Sequence, residues 1–167
     1  GYLSIMLGVS AGVPELEDLS LGCPDQACDV QAVVDWFGPT NFLKMDEQLA
    51  SAGLPPFKGT EHSAEDSPES WLIGGKITDL PEKVAAANPE TYIHQDLPPF
   101  LIQHGSMDAT VPVLQSVELA QKIRAACGED RVTLEVLEGL GHGDQRFDSP
   151  LNVTRVLDFL DGHLKRS

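Results

Sequence analysis

A chain of 167 residues has room for one domain with a real core, and 41% hydrophobic with 22% charged residues is the balance of a folded globular protein. Lys and Arg number 11 against 26 Asp and Glu, a formal charge of −15, which repels phosphate backbones and anionic lipid and so disfavours nucleic acid or a membrane surface as partner. The acidity reads as a solvated surface, and no apolar run approaches the roughly 18 residues of a membrane span.

The first residues, GYLSIMLG, carry neither an initiator Met nor a basic leader, so an upstream segment is expected. Leu3, Met6 and Leu7 fit one face of a helix as well as they fit a strand. Gly8-Val9-Ser10-Ala11-Gly12 then spells G-x-S-x-G, the pattern of a hydrolase nucleophile elbow. An elbow needs a strand before its serine and a long helix directly after it. Ser10 is followed instead by AGVPELEDLSLGCP, a short acidic turn with further breakers. Cys23 and Cys28 share a Pro- and Asp-marked loop, where a disulfide and two free thiols are both open. Cys127 ends a helical pattern, and no further ligands at zinc spacing lie near the first pair.

Three short apolar runs bounded by turn formers read as strands: AVVDWFG (32–38), FLIQHG (100–105) and VTLEVLEG (132–139). Between and after the last two lie helical patterns over Leu114–Ala126 and Leu151–Leu164, the latter opened by Ser149 as cap and Pro150 in the first turn. Strands alternating with helices predict βαβ units and a parallel sheet. The stretch 41–98 is rich in Pro, Gly, Ser and acid, with short helical pieces in SPESWLIGG and LPEKVAAANP. It is too long for an ordinary crossover and is expected to cover one end of the sheet as a cap-like insertion within a single domain. Trp71 within it is expected to pack.

Catalytic groups in parallel sheets collect beyond the carboxyl ends of the strands. HGSMDATVP follows the second strand and carries Asp108; EGLGHGDQRF follows the third and sets His142 between two glycines. An aspartate and an imidazole on one rim make two-thirds of a catalytic triad: the acid fixes the ring tautomer, and the far ring nitrogen takes a proton from a nucleophile. His104, at a strand end before Gly105, is expected to hold loop backbone; His62, His94 and His163 carry no assigned role.

NPETYIHQDLPPFLIQHGSMDATVPVLQS with EGLGHG, and VQAVVDWFGPTNFL before them, resemble the esterase and lipase branch of the α/β-hydrolase superfamily, close to bacterial feruloyl and acetyl-xylan esterase-like proteins. The resemblance covers nearly the whole chain. It implies the carboxyl-terminal part of an α/β-hydrolase fold: three parallel strands flanked by helices, with the earlier strands, the elbow and the oxyanion loop upstream. It also implies a carboxylic ester hydrolase working through an acyl-enzyme, with Asp108 and His142 in the triad, a small-molecule ester as substrate and no metal or organic cofactor. In that family the elbow runs directly into a helix that residues 1–7 resemble, with Gly1 as the last elbow glycine and the nucleophile three residues before it. Ser10 is then a loop residue and Gly8 and Gly12 serve turns; Ser10 as nucleophile is the alternative. The bare edge of AVVDWF should be covered by the missing half or by a second chain. A peptidase or amidase on the same fold, and a binding module without turnover, are the competing functions.

Overall fold

The structure, a computed structural model, describes residues 1–18, 20–23, 25–54 and 59–165. Helix α1 (Tyr2–Val9) leads through a loop to strand β1 (Val33–Trp36). Three short helices follow, α2 (Met45–Ser51), α3 (Pro68–Ile73) and α4 (Pro81–Ala87), before strand β2 (Phe100–Gly105), helix α5 (Leu114–Cys127), strand β3 (Val132–Leu137) and helix α6 (Pro150–Leu164). The strands form one parallel sheet in the order β1-β2-β3, with Val33 beside Phe100 and Phe100 beside Val132.

Alternation along the strands decides which face each helix covers. Val33, Phe100, Ile102 and Val132 pack with Ile5 and Val9 of α1 and with Leu119, Ala120 and Ile123 of α5. The α5 residues fall on one face because they recur at helical spacing. Burying each of the large side chains contributes about 1.5–3 kcal/mol. On the opposite face Gln103 of β2 meets Asn152 at the start of α6 through two hydrogen bonds, of 2.7 and 2.9 Å. The same Gln103 accepts from the Trp36 indole and donates to Glu135, so β1, β2, β3 and α6 are joined by one polar cluster centred on the buried Gln103, whose amide oxygen and nitrogen are both paired.

Helix α1 runs antiparallel to β1. Its N-cap, Gly1, lies against Gly38 and Asp35 near the carboxyl end of β1, while Gly8 lies so close to Val33 and Phe100 that a methyl group there would sit 2.5 Å from the valine side chain. Gly8 therefore serves close helix-to-sheet packing inside α1, not a turn as expected; Gly12, at φ +72, is a turn residue. Ser67 and Ser149 cap α3 and α6, each accepting a backbone N–H, and proline fills the first turn of both helices.

The excursion between β1 and β2 has a small core of its own. Phe42, Met45, Ile77 and Val84 pack around Val111, which belongs to the loop after β2, and Tyr2 joins them from α1. The Tyr2 hydroxyl donates to the Ala87 carbonyl at 2.8 Å. Trp71 does not pack: it is 73% exposed on α3, whose short length buries only Ser70. Cys23 and Cys28 are separate exposed thiols.

Candidate active site

Strand β2 ends at Gly105, and three residues later Asp108 turns back into the protein, 1% exposed. Its carboxylate closes its own loop. Oδ1 accepts the backbone N–H of Thr110 at 2.9 Å and of Val111 at 2.8 Å, an Asx-type turn that ties the side chain to its own loop. Oδ2 accepts from His142 Nδ1 at 2.8 Å and lies 3.3 Å from His104 Nε2. Burial alone would raise the Asp108 pKa, but the hydrogen bonds from His104, His142, Val111 and Thr110 outweigh it and hold the carboxyl well below the usual carboxylate range.

His142 stands in the loop after β3 between Gly141 and Gly143, and its side chain is 36% exposed. Because an ionised carboxylate only accepts, the Asp108 contact assigns the proton to Nδ1. Nε2 has no protein partner among the described residues and is free to accept a proton. The ring is further held by Phe37, whose centroid is 4.4 Å away in an edge-on arrangement; Phe37 in turn meets Phe147 at 4.9 Å. Phe37 is the sole non-glycine residue with positive φ (+46°) among those described. This strained turn ends β1 and aims the aromatic ring across the sheet rim.

Close backbone approach brings the two loops together. Leu140 crosses directly over Gly105, where a methyl group would lie 2.2 Å from the Leu140 carbonyl oxygen. That carbonyl accepts the Met107 N–H at 2.9 Å, and Ser106 Oγ accepts the Gly139 N–H at 2.8 Å. Gly139 (φ +72) and Gly143 (φ +65) take left-handed turns on either side of His142, a conformation other residues adopt at a cost.

His104 is fully buried and holds loop backbone, as expected: Nε2 donates to the Val111 carbonyl at 2.8 Å and Nδ1 meets Ser116 Oγ at 2.7 Å. Asp108 and His142 thus meet on the carboxyl rim. Ser10 does not join them: it ends α1 at the amino rim, its hydroxyl 3.4 Å from the Leu7 carbonyl. What does reach the carboxyl rim is the other end of α1, where Gly1 lies against Gly38, the residue after Phe37, whose ring meets His142. Sequence reasoning missed Phe37, Gly105 and Ser106. The F-G-P run after a strand was the one available signal for the first, and the latter two act only through contacts distant in sequence.

Residues 1–123 match the BD-FAE family model. The chain belongs to the BD-FAE family. Among curated relatives, esterase LipC of Mycobacterium tuberculosis is 37% identical over 149 residues, covering 89% of this chain and 33% of the relative. A truncated form of a carbohydrate esterase from gut microbiota superposes with a TM-score of 0.78 at 30% identity, over 97% of this chain and 55% of that one. A bifunctional GH43-CE protein of Bacteroides eggerthii gives 0.75 at 29% identity, over 97% and 20%. This BD-FAE chain spans from 26% to 33% of the length of the curated relatives it matches. Its fold is of the α/β-hydrolase class, three parallel strands flanked by helices, as the resemblance implied.

Proposed function

We propose that this chain is the carboxyl-terminal part of a serine-dependent carboxylic ester hydrolase, with Asp108 as the acid and His142 as the general base of its triad. The observation that carries the reading is the 2.8 Å Asp108–His142 hydrogen bond, made by a buried, ionised carboxylate and leaving Nε2 of the ring open at the rim. Esterase relatives and carbohydrate esterase neighbours support the same chemistry.

The nucleophile is assigned to a serine three residues before Gly1. That span reaches at most about 10 Å, and it starts beside Gly38 on the His142 side of the sheet. His142 Nε2 takes the serine proton as the oxygen attacks the ester carbonyl, and the imidazolium then gives it to the leaving alcohol. Water repeats the cycle on the acyl-enzyme. Asp108 holds the tautomer and stabilises the imidazolium, while an oxyanion hole from the preceding residues stabilises the tetrahedral intermediate. The chemistry uses no metal or organic cofactor. Among the described residues no helix is long and apolar enough to cross a membrane.

Uncovered apolar surface supports a larger protein. On α1 Leu3 and Leu7 are 72% and 57% exposed; on α6 Leu151, Leu157 and Leu164 are similarly bare; and the outer edge of β1 pairs with no strand among the described residues. The preceding part of the polypeptide, or a second chain, covers them. The 41–98 excursion, anchored on Val111 and Tyr2, forms the cap beside the site, and esters carried on carbohydrate are the first substrates to test.

Treatment of the complete protein with a fluorophosphonate, followed by peptide mapping, tests the assignment. One labelled serine just upstream of Gly1 is the expected result. A label on Ser10 overturns it, and turnover of a peptide anilide in preference to p-nitrophenyl acetate reassigns the activity to a peptidase.

A further inference from the structure

We infer that His62 is a positioning residue of the active site, an imidazolium clamp that fastens the cap to the loop carrying Asp108; the inference rests on the triad reading above. His62 lies in the excursion, and its side chain is 12% exposed. Each of its ring nitrogens faces an acceptor on a different element. Nε2 donates to the Thr110 carbonyl at 2.8 Å, and Nδ1 lies 3.1 Å from Oε1 of Glu69 on α3. Since a carbonyl and a carboxylate only accept, both contacts are made together only when both nitrogens carry hydrogen.

The clamp is itself anchored. Asp46 of α2 accepts the backbone N–H of His62 at 2.8 Å and of Ser63 at 2.9 Å, so the segment cannot slide without breaking a charge-assisted turn. At the far end, Thr110 is the residue whose N–H donates to Asp108 Oδ1, and the next carbonyl, Val111, is gripped by His104. Two histidines therefore hold two consecutive carbonyls of the acid loop, His104 from beneath and His62 from the cap.

The charged groups facing His62 are Glu69 from α3 and Asp46 from α2, with the Asp108 carboxylate one residue removed behind Thr110. Burial pulls the His62 pKa down, but the Glu69 hydrogen bond and charge, the Thr110 carbonyl and the Asp46 charge outweigh it, and the net shift is upward. The sign follows: the clamp is intact at low pH and is lost as pH rises through the folded-state pKa of His62. Above it, a ring lone pair opposes the Glu69 carboxylate, whose Oε2 is already buried without a partner among the described residues. Thr110 then loosens, and the aim of Asp108 at His142 with it.

The test is the pH profile of kcat and KM for p-nitrophenyl acetate with the complete protein. The wild type should show an alkaline fall of about three- to tenfold in kcat with little change in KM. In Glu69→Gln the amide can donate to the neutral ring, so the alkaline fall should vanish. In His62→Gln the single remaining contact should give a lower kcat without that limb. Profiles of both variants that overlay the wild type, in a protein that Asp108→Asn still inactivates, overturn the clamp and leave the triad standing. Full activity in Asp108→Asn refutes the triad instead. If a variant fails to fold, nitrogen-15 spectra of the wild-type His62 ring decide: two protonated nitrogens at pH 6 are expected, and a single one at that pH ends the proposal.

Discussion

Gly105 is where the two halves of the site touch, and replacing it with alanine displaces them by a calculable amount. The added methyl would stand 2.2 Å from the Leu140 carbonyl oxygen and 2.7 Å from its carbon. Ordinary contact begins near 3.4 Å, so backbone must move by about 1 Å, since no flexible side chain is there to yield. The movement stretches the 2.9 Å bond from Met107 N–H to Leu140 and shifts the loop that carries His142, two residues on. Overpacking of this kind costs about 1–3 kcal/mol of stability, and a misplacement of about 1 Å costs up to about 100-fold in rate. Gly105→Ala in the complete protein should thus retain its fold, with a lower urea midpoint, and lose one to two orders of magnitude in kcat/KM for an aryl ester. A rate within twofold of wild type would refute the claim that this crossing sets the Asp108–His142 geometry.

Two further substitutions probe the rim. Asp35 is fully buried; burial pushes its pKa up to about 6, against the pull of His104 and of the Gly38 N–H. A carboxyl with a raised folded pKa loses stability as pH rises from its unfolded value to its folded one. The advantage of Asp35→Asn in urea unfolding should therefore grow by about 2 kcal/mol between pH 4 and pH 8, and a difference that does not vary with pH contradicts the assignment. At Phe37, glycine relieves the φ of +46° and alanine does not. Phe37→Gly should be about 1 kcal/mol more stable than Phe37→Ala, the reverse of the usual order, while both lose about tenfold in kcat by freeing the His142 ring. An alanine variant as stable as the glycine one removes strain from the account.

The strands and long helices were legible because they rest on periodicity and punctuation. The expected strand 100–105 and the helices from 114 and 151 match the structure to within a residue or so. The 32–38 run is strand only to Trp36, because Phe37 leaves the sheet in a left-handed turn that no pattern of apolar residues announces. Asp108 and His142 could be found because topology alone brings the ends of adjacent parallel strands to one rim. His62 could not: its partners Glu69 and Thr110 come from a short helix and from a loop 48 positions away. Trp71 shows the limit of composition, since a large aromatic on a six-residue helix has little to pack against.

The central claim is that Asp108 fixes the tautomer of a catalytic His142, and Asp108→Asn in the complete protein tests it most directly. Asparagine keeps an oxygen for the Thr110 and Val111 N–H groups, so the loop should hold, while its amide nitrogen faces His142 Nδ1 and forces the proton onto Nε2. Stopped-time hydrolysis of p-nitrophenyl acetate should show kcat lowered about 10³- to 10⁴-fold with an unchanged near-ultraviolet circular dichroism spectrum. Turnover close to wild type in that folded variant would contradict the account.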